Sequence, residues 1–528
     1  MRAAQYWARY LKAAGVARIF GHPGTETIEL LEAARAEDIE FVLTHHEATA
    51  AFAASMTGHL TGVPGICVTT AGPGTTNAAT GVAQAWLDRM PMILFTGDHP
   101  TGPDQPAHQR LPSDMFSGVS RGIRRVSAES LQHDMPAAFE LAMGRPRGPA
   151  HVTFPSDQMA VDAGTPPIRL PKPHAPAESP ASDLARASAL LAGSRRPFIL
   201  VGLGVPASRA ETAFVDFAQA LGAPVADTPQ GRGAFPTDHL QHVGTFGSHR
   251  DAVIRAVAQE ADLVIAVGLD SAEFLKPWFI DLPVVVLREE EDDDPSIPAF
   301  LSVAGDLGLL LRTLTPSSGV PRWDPAAIES IRARHNPPVA LPADAAGSLW
   351  PQSVVDILKH FMPNDTVVTV DVGSHKLLMV SRWPVQNPGS FLCSSGLSSM
   401  GTGLPFAIAA QLAHPDRPVL AVVGDGGLLM YAGELGTIAR LGLPIIIVVM
   451  ADAALYSIKI KQLRRSYPPV GTEFQGLPVA RIANEFGVEA VSVSSREDLS
   501  RAIQRALPRT APFLIEAHID PEGYEHTQ

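Results

Sequence analysis

The sequence predicts an α/β protein made of three doubly wound parallel-sheet domains, and two kinds of segment carry that prediction. The runs 198–201, 263–267 and 445–449 are apolar throughout, which is typical of parallel strands buried on both faces. Helical stretches such as 211–221 and 435–441 lie between runs of this kind. Alternation of strand and helix along the chain favours parallel sheets covered by helices.

The 528 residues are enough for about three domains at roughly 150 residues each. The alternating pattern breaks twice, in a proline-rich stretch at 164–183 and again at 315–348, and both read as linkers. We therefore place the domains at 1–163, 185–314 and 349–528.

Composition excludes several function classes. Lys and Arg number 41 against 54 Asp and Glu, so the formal charge is −13 and argues against a nucleic-acid partner. The cysteines, Cys67 and Cys393, lie in apolar runs and cannot form a disulfide framework. The longest apolar run, 443–451, is shorter than the ~20 residues of a membrane span, and the N-terminus lacks a signal-peptide core. We expect a soluble, cytoplasmic protein without a membrane partner.

Two carboxylates follow neighbouring strands of the third domain. Gly424-Asp425-Gly426-Gly427 ends one apolar run, and Asp452 follows the next run along the chain. In a parallel sheet both carboxylates reach the same edge, where such sheets bind ligands. Oxygen ligands suit Mg²⁺, and glycines let the backbone approach a diphosphate. The alternative is a tight turn with Asp425 as a helix cap.

This pattern resembles the binding motif of the thiamine diphosphate (ThDP) enzymes, which begins Gly-Asp-Gly and usually ends in two asparagines. The resemblance implies Mg²⁺ bound by Asp425, Asp452 and the carbonyl of Ala454. The sequence departs from the motif at Ala451-Asp452, where Asp keeps an oxygen ligand. The resemblance also places further residues at the cofactor: Gly424, Gly426, Gly427, Leu455 and Tyr456.

Glu47 begins an apolar helix in the first domain, where it could simply complement the helix dipole. Its context favours another role, because 21–24, 70–77 and 91–97 complete a series that resembles the pyrimidine-binding domain of acetohydroxyacid synthase-like ThDP enzymes. In that family a glutamate hydrogen-bonds N1′ of the cofactor pyrimidine, and burial of the carboxyl suits proton sharing. The resemblance implies that Glu47 is catalytic. It also implies that five further residues contact the cofactor: Pro23, Gly24, Thr70, Gly72 and Asn77. His22 would lie at the active site, and the alternative is that it is only a turn residue.

Two more segments of the third domain carry the resemblance. The run 395–401 resembles the element that bends the cofactor, which implies Met400 as the apolar wedge and the Ser398 carbonyl as an acceptor. The turn 371–375 resembles the one that holds the diphosphate, which implies Ser374 and His375 there. Plain core packing is the alternative for Met400 and His375.

The exact reaction is less decided by the sequence. Gln109 matches a glutamine of the carboligases that join two 2-oxo acids, and 371–376, 451–452 and 461–467 look like the catabolic acetolactate synthases. The middle domain offers no clear basic residue for the acceptor carboxylate. A 2-oxo acid decarboxylase that releases an aldehyde is therefore the alternative, and a catalytically silent ThDP-binding paralogue is a third.

The remaining expectations concern FAD and assembly. Residues 202–207 follow a strand and fit a dinucleotide fingerprint with Ala last, but Pro206 suits a phosphate-binding series of amides poorly. FAD is thus possible but not favoured. The resemblance implies a homodimer or homotetramer with active sites at the subunit interface, and a 2-oxo acid as substrate.

Overall fold

The computed structural model describes residues 1–101, 108–172, 176–247, 251–274, 276–291, 295–317, 322–335, 348–507 and 510–526. They contain three six-stranded sheets in which every pairing between neighbouring strands is parallel. Helices connect the strands, and the predicted α/β architecture of three domains is confirmed.

The first sheet has the order β2-β1-β3-β4-β6-β5, so its strand order reverses between β1 and β3. Its strands are β1 (Arg18–Gly21), β2 (Glu40–Leu43), β3 (Gly65–Thr69), β4 (Met92–Asp98), β5 (Ile123–Arg125) and β6 (Pro149–Pro155). Its helices are α1 (Ala3–Ala13), α2 (Ile28–Ala36), α3 (Glu47–Thr61), α4 (Pro73–Asn77), α5 (Ala79–Leu87) and α6 (Leu131–Met143).

The middle sheet has the order β12-β11-β10-β7-β8-β9, which is the order of a classical dinucleotide-binding fold. Its strands are β7 (Pro197–Val201), β8 (Val225–Asp227), β9 (His242–Thr245), β10 (Leu263–Val267), β11 (Val284–Arg288) and β12 (Leu301–Ala304). Its helices are α7 (Ala181–Gly193), α8 (Gly204–Ala207), α9 (Glu211–Leu221), α10 (Ala252–Glu260), α11 (Leu307–Leu314) and α12 (Pro325–His335).

The third sheet, β14-β13-β15-β16-β18-β17, repeats the order of the first, with the reversal between β13 and β15. Its strands are β13 (Val367–Val370), β14 (Phe391–Cys393), β15 (Val419–Gly424), β16 (Ile445–Ala451), β17 (Glu489–Val493) and β18 (Phe513–His518). Its helices are α13 (Pro351–Phe361), α14 (Ser374–Arg382), α15 (Gly403–Ala413), α16 (Asp425–Met430), α17 (Glu434–Arg440), α18 (Tyr456–Arg464), α19 (Val479–Glu485) and α20 (Arg496–Ala506).

Helix α12 lies inside the stretch that the sequence predicts as the second linker. Ile328 and Ile331 on this helix are buried in the same cluster as Ile254 and Val257 of α10. The helix is therefore packed against the middle domain. The two isoleucines are its only strong apolar signal, and Asn336-Pro337-Pro338 follows directly, so the pattern reads as a break. The exact domain boundaries stay a prediction.

The first and third domains share one hydrophobic core. Helix α3 packs along α15, and a single buried cluster contains Ala50 and Phe52 of α3 with Phe406 and Ala407 of α15. Both helices are apolar on most of their faces because each is covered by its own sheet and by the other helix. Within the described residues, none of the helices combines the length and the apolar character needed to span a bilayer.

Candidate functional site

A cavity of 380 Å³ opens at the carboxyl edge of the third sheet, where strand order reverses. This edge is the usual ligand position in doubly wound sheets. All the third-domain residues predicted from the sequence line the cavity: Ser374, His375, Ser398, Met400, Gly424, Asp425, Gly426, Gly427, Asp452, Ala454, Leu455 and Tyr456.

The two predicted metal-binding aspartates lie side by side in this cavity. Asp425 begins α16 and accepts hydrogen bonds from the backbone N–H of Asp452 at 3.2 Å and of Ala453 at 2.7 Å. Ala453 has a φ of 53°, a left-handed conformation that non-glycine residues adopt mainly at constrained sites. Burial, followed by the charge of Asp425, raises the pKa of Asp452 to about 7. A divalent cation between the two carboxylates would remove that repulsion.

This donor set fits Mg²⁺ better than a metal that needs a full set of protein ligands. Within the described ranges, no group of three or more His, Cys, Asp or Glu side chains is arranged to hold a metal ion. Mg²⁺ is usually bound by one or two carboxylates and takes its other ligands from water and phosphates. Two aspartates beside a cavity with room for a diphosphate match that chemistry.

The start of α14, which also lines this cavity, offers polar atoms that lack partners. Ser374 Oγ and His375 Nε2, in the first turn of α14, are buried without a hydrogen bond to any described residue. Burial lowers the pKa of His375 to about 4, so the ring is neutral at pH 7. A helix N-terminus favours negative charge. These orphan atoms therefore fit a diphosphate, which would supply acceptors for them.

Asp371, which the sequence analysis did not single out as a site residue, holds the turn that carries Met400. Its buried carboxylate accepts from the backbone N–H of Gly401 at 2.8 Å and of Thr402 at 3.1 Å. Ser398 in the same turn has a φ of 54°. The methyl carbon of Met400 reaches toward Gly426, 3.5 Å from where a Cβ would stand there. The signal for Asp371 was its place directly after a buried strand.

The predicted first-domain residues form a second group, at the carboxyl ends of β1 and β3. Asn77 Nδ2 donates to Glu47 Oε2 at 2.9 Å, and the Glu47 side chain is buried at the start of α3. Thr70 Oγ1 donates to Glu26 Oε2 at 2.6 Å. A Cβ on Gly24 would lie 2.4 Å from Thr70 Oγ1, so the glycine is needed for this close packing. Glu26 is a residue that the sequence analysis missed.

Gln109 also belongs to this first-domain group. Gly72 has a φ of 63°, and a Cβ there would stand 2.8 Å from the Gln109 Cβ. Gln109 itself is in a left-handed conformation with a φ of 59°. His22 and Pro23 follow β1 and are exposed at the same edge. The structure thus brings the predicted pyrimidine-binding residues to one edge of the first sheet.

The first-domain group lies outside the cavity that holds the third-domain group. None of the described residues of the first domain lines the cavity at Asp425 and Asp452. The same chain does join the domains nearby, because the His45 backbone N–H donates to Glu434 Oε1 at 2.9 Å. Each half of the predicted cofactor site is therefore formed, but separately.

Comparison with known proteins decides the family. Three family models match in order: the N-terminal thiamine pyrophosphate binding domain over residues 1–117, the central domain over 184–314 and the C-terminal binding domain over 371–517. The chain is 30% identical to the acetolactate synthase isozyme 2 large subunit of Escherichia coli (strain K12), over 98% of this chain and 96% of that protein. This chain belongs to the thiamine pyrophosphate enzyme family.

Further relatives carry related names. A probable acetolactate synthase large subunit of Methanocaldococcus jannaschii is 29% identical over 99% of this chain and 92% of its own length. The acetolactate synthase large subunit of Parasynechococcus marenigrum is 31% identical over 96% and 86%. The predicted resemblance to acetohydroxyacid synthase-like enzymes is confirmed, and the chain is a ThDP-dependent enzyme.

Two residues of the middle domain also line the cavity of this thiamine pyrophosphate enzyme. They are Gly247 and Lys276, and Lys276 Nζ pairs with Asp251 at 2.9 Å. The sequence analysis found no clear basic residue in this domain. Lys276 was missed because it follows a short 3₁₀ helix, Ser271–Glu273, in a loop without a motif. Its position adds positive charge to the cavity.

The glycine loop of the middle domain is occupied by a carboxyl group of the same chain. The Leu203 backbone N–H, which would face a phosphate, donates to both carboxyl oxygens of Glu273, at 3.2 and 3.1 Å. Thr228 Oγ1 donates to the same buried carboxyl group. A Cβ on Gly204 would stand 2.7 Å from the Gly268 Cα, so backbone fills the space beside the loop. A phosphate would have to displace Glu273.

Proposed function

We propose that this enzyme decarboxylates a 2-oxo acid and joins the product to a second carbonyl compound, in the manner of an acetolactate synthase. The observation that carries the proposal is that one chain contains both a buried, hydrogen-bonded Glu47 and a cavity lined by Asp425 and Asp452. The names of the relatives point to the same reaction.

ThDP and Mg²⁺ are the proposed cofactors. When bound, ThDP supplies the carbon nucleophile and accepts the electron pair that decarboxylation releases. Asp425, Asp452 and the Ala454 carbonyl would hold Mg²⁺, and Ser374 and His375 would contact the diphosphate. FAD is not proposed, because Glu273 occupies the amide that its phosphate would need.

Glu47 would hold a proton at N1′ of the cofactor pyrimidine. Asn77 donates to Glu47 Oε2 and leaves Oε1 for another partner. The fixed carboxyl then needs no reorganisation when the proton moves. Met400, beside Gly426, would be the apolar support that bends the cofactor.

A second copy of the chain would complete each active site. The support is that Glu47 and the diphosphate cavity are formed at separate places in one chain. If the first domain of one copy faces the third domain of another, both halves meet. We propose a homodimer or homotetramer on this ground.

Lys276 would attract the carboxylate of a 2-oxo acid. Its ammonium group lies on the cavity wall and is shared with Asp251. An anionic substrate entering the cavity gains a charged hydrogen-bond donor, which is stronger than a neutral one. Gln109, packed on Gly72, is the proposed contact from the first-domain side.

The test is product analysis with pyruvate, with and without ThDP and Mg²⁺. The expected product is acetolactate, dependent on both cofactors and lost in Glu47→Gln. Glu497→Gln is the matched control, because Glu497 is also an acid in the first turn of a helix, α20, and is exposed. It should keep wild-type turnover.

The other outcomes separate the alternatives. Acetaldehyde without acetolactate would make the enzyme a decarboxylase. Binding of ThDP without turnover of pyruvate or larger 2-oxo acids would identify a silent paralogue and overturn the proposal. A Glu47→Gln variant as active as wild type would remove Glu47 from the mechanism.

A further inference from the structure

A second cavity, of 530 Å³, lies where all three domains meet. We call it the basic pocket. Its first-domain wall is formed by the end of α3 and by the loop between α6 and β6. Its middle-domain wall is α8 with the residues after it, and its third-domain wall is formed by two loops. Its charged or titratable lining residues are His59, Arg145, Arg147, Arg209, Glu211, His414 and Arg417.

The basic pocket is on the opposite side of the sheets from the cofactor cavity. Gly62, Arg147, Gly389 and Arg417 line it, and each lies two or three residues before a strand of the first or third sheet begins. The cofactor cavity opens at the other ends of these sheets. Helix α3 has 15 residues, which places the basic pocket about 20 Å from Glu47 at its start.

The positive charge of the basic pocket is only partly neutralised within the described residues. Arg145 pairs with Glu289 at 2.6 Å, and Glu211 is the one carboxylate in the lining. Arg417 donates to the Asp365 backbone carbonyl at 3.0 and 2.8 Å, and the nearby Asp365 carboxylate offsets part of its charge. Arg209 contacts the Thr61 carbonyl at 3.4 Å.

Arg147 is the strongest sign of a ligand. Its Nε is buried without a hydrogen bond to any residue that the structure describes. Burial and the neighbouring Arg145 lower the pKa of Arg147 to about 10, so the group is charged at neutral pH. A buried N–H donor that lacks an acceptor is costly, and an anion in the pocket would supply an acceptor for this Nε.

We propose that the basic pocket binds a small molecule carrying two or more phosphate groups. Guanidinium groups bind phosphates through paired N–H donors. Several arginines from different domains match several phosphates better than one carboxylate. The volume lies within the range of small-molecule sites, about 300–1,000 Å³. Bound there, the ligand would link the three domains at the far ends of α3 and α15, which both begin near the cofactor.

The experiment measures binding of tripolyphosphate and of ADP by calorimetry to enzyme saturated with ThDP and excess Mg²⁺. Saturation keeps the probes out of the cofactor cavity. We expect binding by wild type, and an increase in Kd of at least about tenfold in Arg209→Gln from the loss of a charged contact. Arg147→Gln should act in the same direction. Arg186→Gln is the control, because Arg186 is an exposed arginine outside the pocket that pairs with Asp183.

The arms of the experiment also identify the source of the phosphates. Tighter binding of ADP would indicate a nucleotide, and tighter binding of tripolyphosphate a phosphate chain without one. The proposal is overturned if wild type binds neither probe, or if Arg209→Gln binds as well as Arg186→Gln. Arg209 is exposed, so its variant keeps the test decisive even if Arg147→Gln fails to fold.

Discussion

Asn77 donates its side-chain amide to Glu47 at 2.9 Å, and this hydrogen bond joins the end of α4 to the start of α3. The bond fixes one carboxyl oxygen and directs the other away from Asn77. It is a direct side-chain contact of the residue proposed as catalytic. The order of the sequence motifs does not reveal this contact, because 30 residues separate the partners.

Asn77→Ala should lower kcat by about tenfold, the value of a lost hydrogen bond to a charged group. The Glu47 carboxyl would lose its orientation while remaining in place. Steady-state turnover of pyruvate at saturating ThDP measures this effect. Thr76→Ala, at an exposed neighbour in the same short helix, is the control and should keep wild-type kcat. Equal losses in both variants, matched by equal drops in Tm, would mean that Asn77 has only a structural role.

Two substitutions at Asp452 distinguish the effect of its negative charge from the effect of its oxygen ligand. Asp452→Asn should still bind Mg²⁺, because an amide carbonyl is an oxygen ligand and the repulsion with Asp425 disappears. Asp452→Ala should weaken Mg²⁺ binding about 10- to 100-fold, as expected when a metal site loses a group it depends on. The measurement is a Mg²⁺ titration of the chelator-treated protein in the presence of ThDP. The rise in Tm at each Mg²⁺ concentration reports binding. Equal affinities in the two variants would exclude Asp452 as a ligand.

Lys276→Met should raise KM for pyruvate about tenfold with a smaller change in kcat, since it removes a charged contact made in ground and transition states alike. Lys359→Met is the control, because Lys359 is a partly exposed lysine on α13 outside the cavity. Steady-state kinetics measure the split. A lower kcat with unchanged KM would instead place Lys276 in the chemical step.

The third-domain residues that the sequence predicts for the site line one cavity, and the sequence points to them together because they belong to short contiguous motifs. Gly424–Gly427 and Asp452 follow buried strands, and parallel strands bring their carboxyl ends together. Lys276 could not be found in this way, since it reaches the cavity from a loop of another domain. The predicted fold class rests on apolar runs that match β7, β10 and β16 closely, whereas α12 was missed for lack of a periodic apolar face.

Arg232 should be essential for stability at the junction of the middle and third domains. It is buried and donates to the carbonyls of Val380 at 2.6 Å and Trp383 at 2.7 Å, at the end of α14. Its guanidinium also lies 3.9 Å from the buried Asp227 carboxylate. Arg232→Met leaves these acceptors without that partner and should cost about 3–5 kcal/mol. ThDP affinity should fall as well, because α14 carries His375 at its other end.

Urea unfolding and ThDP titration check the role of Arg232. Arg186→Met, at an exposed site in the middle domain, is the control and should change stability by less than about 0.5 kcal/mol. An Arg232 variant with wild-type midpoint would show that water or rearrangement replaces its hydrogen bonds.

Glu273 should make the stability of this enzyme fall as pH rises. Burial raises the pKa of Glu273 to about 8, above its usual value near 4.5. Between those values the folded protein keeps a proton that the unfolded chain releases. The unfolding free energy therefore decreases with pH, by up to about 1.4 kcal/mol per unit for this group. The loss is complete once the pH passes about 8.

Glu273→Gln removes that titration, so its stability should fall less steeply than that of wild type between pH 5.5 and 8.5. Comparing slopes cancels any fixed cost of placing an amide beside the Leu203 N–H. Urea midpoints of the cofactor-free protein across this range measure the slopes, with Glu497→Gln as the control that should follow wild type.

The same wild-type protein should purify without flavin absorbance near 450 nm and take up no FAD on incubation. Bound FAD would show that Glu273 yields its place to a phosphate.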